Sequence, residues 1–194
     1  GGFIDSTASA LLGSGTIVNE DDGDVLVQDK TIDLTLVQDS TALGTMALAG
    51  TLNIGGALVF ESGVSVDLDN FDVVTTGAGT IDNSTALDLN FDEFTTTHIT
   101  NRNGGVIDLQ GGTTSQIAAA LVDNQTGGTL QASSSQSEID LSGGGVLQNA
   151  GLIDVVGFGD SLSIIGGELQ NSGAIDIASG ASLDIAGGTL SMLS

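Results

Sequence analysis

The sequence predicts an all-β chain folded as a single parallel β-solenoid of about nine coils of about 22 residues each. Three observations predict it. A segment of that length repeats along the chain, its residues alternate apolar and polar with period two, and 30 Gly occur with no Pro. Alternation over three to six residues reads as short strands. Gly suits the tight corners between strands, where positive φ is needed. Pro would remove a ladder N–H, and in stacked coils nearly every strand lies between two others.

The repeat is clearest near the end. Residues 144–165 read GGVLQNAGLIDVVGFGDSLSII, and residues 166–186 read GGELQNSGAIDIASGASLDIA. Another copy opens at Gly187-Gly188-Thr189-Leu190 and is a third of a coil long at Ser194. The shared core, Gly-x-Ile/Leu-x-Asn, recurs as Gly15-Thr16-Ile17-Val18-Asn19 and Gly79-Thr80-Ile81-Asp82-Asn83. Shorter versions are Ile99-Thr100-Asn101 and Val122-Asp123-Asn124, and Asp39 and Glu61 are read into the same slot after Val37 and Val59. The slots then fall at 19, 39, 61, 83, 101, 124, 149 and 171.

Between the slots, Thr31-Ile32-Asp33-Leu34-Thr35-Leu36, Val64-Ser65-Val66-Asp67-Leu68, Ala174-Ile175-Asp176-Ile177 and Ser182-Leu183-Asp184-Ile185 alternate as half-buried strands do. The segment Ser115–Leu121 has helical composition but sits in register, so it is read as strand or turn. Coils stacked at about 4.8 Å would give a rod of roughly 40 Å. Equivalent side chains then lie above one another, and Asn83, Asn101, Asn124, Asn149 and Asn171 are expected to form a structural amide ladder. The whole chain, 1–194, is read as one solenoid domain. Residues 1–97 are less regular and hold 16 of the 25 acids, whereas 98–194 form regular Gly-rich coils.

Composition narrows the partners. Apolar residues make up 40% of the chain but aromatic ones only 3%, with no Trp or Tyr, so the core must be aliphatic. The net charge is -23, with Lys30 and Arg102 the two basic residues besides His98. Nucleic acid is excluded as a partner, because phosphate backbones require Lys and Arg. Anionic membrane surfaces are disfavoured for the same reason, and no apolar run is long enough for membrane insertion by a helix. So few cations leave the acids to be screened by salt or bridged by divalent ions. The absence of Cys rules out disulfides and thiolate metal sites. A start at Gly1 rather than Met is read as a processed or partial exported chain.

The segments Leu121-Val122-Asp123-Asn124-Gln125-Thr126-Gly127-Gly128-Thr129-Leu130-Gln131-Ala132 and Asn101-Arg102-Asn103-Gly104-Gly105-Val106-Ile107 resemble the coil repeats of filamentous-haemagglutinin-type and autotransporter adhesins. The resemblance extends from about residue 79 onward. It implies a right-handed β-helix exported to a bacterial cell surface, and it carries over no receptor site. The extreme acidity departs from that family and points to a saline or calcium-rich setting.

Catalytic chemistry finds little to work with. There is no G-x-S-x-G, G-x-G-x-x-G or Walker A sequence. The basic side chains a polysaccharide lyase or hydrolase would need reduce to Lys30, His98 and Arg102, which are read as lying in different coils. Calcium is the one cofactor with a candidate site, though the fold requires none. Glu20-Asp21-Asp22-Gly23-Asp24 places carboxylates around a flexible Gly, with Asp21, Asp22 and Asp24 as the candidate ligands. Acidic turns at 67–72 and 88–93 are secondary candidates.

These readings converge on a secreted, cell-surface structural or adhesive rod that is not an enzyme. Its expected partners are its own kind, through solenoid ends or flanking domains, and a host-cell or carbohydrate receptor. The alternative is a carbohydrate-active β-helix enzyme.

Overall fold

A computed structural model describes residues 10–11, 14–20, 24–42, 44–68, 73–90, 92–110 and 116–193. Among these residues the regular elements are all strands, with no helix, and every strand pairing is parallel. The chain is a β-solenoid, and its strands stack in three columns.

The first column runs through Thr16–Asn19, Thr35–Gln38, Ala57–Phe60 and Thr80–Asn83. It continues through the C-terminal halves of Glu93–Asn101 and Ile117–Asn124, then Val146–Asn149, Glu168–Asn171 and Thr189–Met192. The second column begins with Val25–Gln28, the start of Thr45–Ile54, and Ser65–Asp67. It resumes with Ala86–Leu89, Val106–Leu109, Thr129–Ala132, Leu152–Val155 and Ala174–Ile177. Where it breaks, the Thr85 hydroxyl donates to the Val64 carbonyl at 2.9 Å and bridges the two runs. The third column climbs from Ala10–Leu11 and Thr31–Ile32 to Ser161–Ile165 and Ser182–Ala186.

Alternation decides what fills the interior. Leu36, Leu58, Ile81, Ile99, Val122, Leu147 and Leu169 stack along the first column, each at 2% exposure or less. Leu87, Ile107, Leu130 and Ile153 do the same in the second, and Phe94, Ile117, Ile139 and Ile164 in the third. In-register parallel stacking sets equivalent positions above one another, so the core is an array of mainly aliphatic columns in which, among the described residues, Phe60 and Phe94 are the aromatic members. Of the segment of helical composition, residues 117–121 belong to strand Ile117–Asn124, in register with Phe94 and Asn101 of the strand below, and Ser115 lies outside the described residues.

Two steps of the register differ from the sequence reading. Asn19 pairs with Gln38, and Gln38 with Phe60, so Asp39 and Glu61 lie one residue beyond the slot. The slot faces inward, where Gln38 and Phe60 are at most 1% exposed. A carboxylate there would be buried without a counter-charge. A shift of one residue turns it outward instead.

Candidate functional site

The inward slot carries the most organised polar structure in the chain. The Nδ2 of Asn83 donates to Oδ1 of Asn101 at 3.0 Å, and Asn101 donates to Asn124 at 2.9 Å. Asn124 donates to Asn149, and Asn149 to Asn171, each at 2.6 Å. The second N–H of each amide reaches a backbone carbonyl. Asn83 donates to Thr85 at 2.8 Å, Asn101 to Thr129 at 2.9 Å, and Asn124 to Leu152 at 3.0 Å. Asn149 donates to Ala174 at 3.1 Å, and Asn171 to Gly173 at 3.0 Å. Each of these five side chains is at most 1% exposed. The amide of Asn donates and accepts along the same line, whereas an ionised Asp only accepts, so this slot takes Asn where a carboxylate would not serve. A shorter run precedes it, in which Asn19 donates to Gln38 Oε1 at 2.9 Å and Gln38 donates to the Gly44 carbonyl at 2.8 Å. Phe60 sits between the two runs and separates them.

The calcium candidates are divided. Asp21 and Asp22 lie outside the described residues, as do residues 69–72. Asp24 is exposed, and its Oδ1 accepts the Thr45 N–H at 2.9 Å. Among the described residues no three His, Asp or Glu side chains converge. The second column instead lines up single acids facing outward. Asp88 lies beside Asp108 in one part of it and Asp154 beside Asp176 in another, with Gln131 between. Asp108 is shielded, accepting from the Ser133 hydroxyl at 2.7 Å.

Burial first, and the neighbouring Asp176 second, push the Asp154 carboxyl above its ordinary value. A raised carboxyl contributes stability below the ordinary carboxylate range and loses it as pH rises through the folded value. At neutral pH the pair is therefore unfavourable. Like charges directly across a strand pair cost roughly 0.2–1 kcal/mol. Asp154→Asn should raise the melting temperature at pH 7 by about 1–3 °C. The gain should vanish near pH 3, where both forms are uncharged. Melting curves by circular dichroism at the two pH values measure it.

The basic residues do not gather. Lys30 precedes strand Thr31–Ile32, whereas His98 and Arg102, expected in different coils, share one and bracket the first-column part of strand Glu93–Asn101. His98 is half-buried with Nε2 3.3 Å from the Thr100 hydroxyl. Arg102 grips Asp82 of the preceding coil through Nε and Nη2, at 2.5 and 2.6 Å. Asp82, and more weakly Asp123, hold its guanidinium above the ordinary value. Sequence reading singled out Arg102 but not this partner, which lies 20 residues away and becomes a neighbour through stacking.

Three-column stacking with a buried amide ladder places the chain in the class of β-helix repeat proteins. No protein family, no characterised protein and no solved structure matches it in comparison.

Proposed function

We propose that this chain is an exported structural or adhesive rod. It would act as a segment of a bacterial surface adhesin of the filamentous-haemagglutinin or autotransporter kind, or as a subunit of an extracellular filament or layer. The observation that carries the reading is the continuous ladder from Asn83 to Asn171, which cross-links five successive coils along the axis. Such a column serves stiffness, since each coil is bonded to the next by side chains as well as by strand pairing. The acidic coat keeps separate rods apart in solution. Calcium, bound at acidic turns such as that of Asp24, would lower that repulsion.

Electron microscopy of the purified chain, with millimolar calcium and with chelator, tests this. Straight rods about 40 Å long, or filaments built from them, are expected. Calcium should favour association and chelator should reverse it. Flexible or round particles in both conditions would overturn the reading.

A further inference from the structure

At the corner after the first column, four successive coils leave a groove of about 520 Å3. That volume lies within the range of small-molecule sites. It is lined by Ser40, Val59, Glu61, Ser62, Asp82, Ser84, Arg102 and Asn103, with Phe60 beneath. We propose that this groove binds a neutral pyranose unit of a glycan. The inference deepens the adhesive reading above and rests on it.

The polar groups select the ligand by elimination. An anionic sugar meets Glu61 and Asp82 on a chain of net charge -23. A cation meets Arg102 instead, and finds the carboxylates engaged. Both Asp82 oxygens accept from Arg102, and Glu61 Oε2 accepts the Ser40 N–H at 3.1 Å. What stays available is mixed in character. Among the described residues the side chains of Ser62, Ser84 and Asn103 make no hydrogen bond, Glu61 keeps one oxygen, and Arg102 keeps three of its five N–H groups. Sugar hydroxyls both donate and accept, which matches such a set. Val59 faces outward in the first column and offers an apolar surface to the C–H face of a pyranose ring.

Arg102 is the single Arg of the chain, so its Nε–H gives one unambiguous signal in a 15N-resolved spectrum. Titration uses methyl β-D-galactopyranoside, methyl β-D-glucopyranoside and methyl α-D-mannopyranoside, with glycerol and N-acetylneuraminate as controls. At least one pyranoside should move the signal saturably with half-saturation of about 1 mM, typical for so small a ligand. Ser84→Leu, an edge substitution that fills the groove, should weaken binding at least about tenfold, a change of 1.4 kcal/mol in affinity. An unchanged circular dichroism spectrum confirms that this variant folds. No saturable shift with any pyranoside overturns the proposal. So does an equal shift with glycerol, a shift by N-acetylneuraminate alone, or undiminished binding by Ser84→Leu. Rods seen by microscopy without a sugar-induced shift would sink the groove and leave the rod standing.

Discussion

Asn124→Asp should destabilise the protein by about 3–5 kcal/mol at neutral pH, the cost of leaving a charge buried without a partner. The side chain keeps its size, so packing is not the cause. As Asn, residue 124 accepts from Asn101 and donates to both Asn149 Oδ1 and the Leu152 carbonyl. A carboxylate still accepts, but it then faces two oxygens with nothing to donate. Its folded pKa must rise, because both burial and those two oxygens disfavour the ionised form. Stability is thus retained below the ordinary carboxylate range and lost as pH rises through the raised folded value. The melting temperature at pH 7 should fall by about 10 °C. Much of that loss should be recovered near pH 4, where the protonated acid can donate to Asn149. Asn124→Leu separates the two causes: it should be destabilised to a similar degree with no recovery at low pH. Equal behaviour of the two variants across pH would mean that the ladder contributes through volume alone.

Gly167→Ala is expected to cost about 3 kcal/mol, from two sources that act together. Gly167 has φ of +56°, in the left-handed region that a side chain disfavours by roughly 1–2 kcal/mol. A Cβ there would also lie 2.3 Å from the Gly145 carbonyl oxygen and 2.5 Å from Leu141 Cβ. The first obstacle is backbone of the neighbouring coil, so the clash is relieved only by spreading two coils beyond the usual strand spacing of about 4.8 Å. Gly143 provides the control. Nothing lies within 4 Å of a Cβ built on it, and its φ is outside the left-handed region. Gly143→Ala should change stability by no more than about 0.5 kcal/mol. Denaturant titration of both variants measures the difference, and equal effects would mean that coil spacing is softer than this corner implies.

The two substitutions probe different parts of one device. The amide ladder resists separation of coils from within, and the glycine corners allow them to approach that closely in the first place. Where the slot is filled otherwise, the device changes. Phe60 replaces an amide with apolar contact, so the coils around it are held by packing and strand pairing. Hydrogen exchange should show the Asn101–Asn171 strands better protected than those flanking Phe60.

The sequence by itself determined the architecture. Alternation and a spacing near 22 residues specify short strands in successive coils, and the want of Pro specifies that those strands are interior. Asn83, Asn101, Asn124, Asn149 and Asn171 were legible as one equivalent position because Gly and aliphatic neighbours recur at fixed offsets around them. Only the tertiary structure decided which face of an ambiguous strand is inside. Leu36-Val37-Gln38 and Leu58-Val59-Phe60 carry apolar residues on both faces, so their pattern allows two registers one residue apart. Burial selects Gln38 and Phe60, since the competing register would bury Asp39 and Glu61. The corner groove was beyond sequence reading for a related reason. Ser40, Glu61, Asp82 and Arg102 are about 20 residues apart along the chain, and each is an ordinary polar corner residue alone. Stacking makes them neighbours, because a solenoid turns sequence period into distance along its axis.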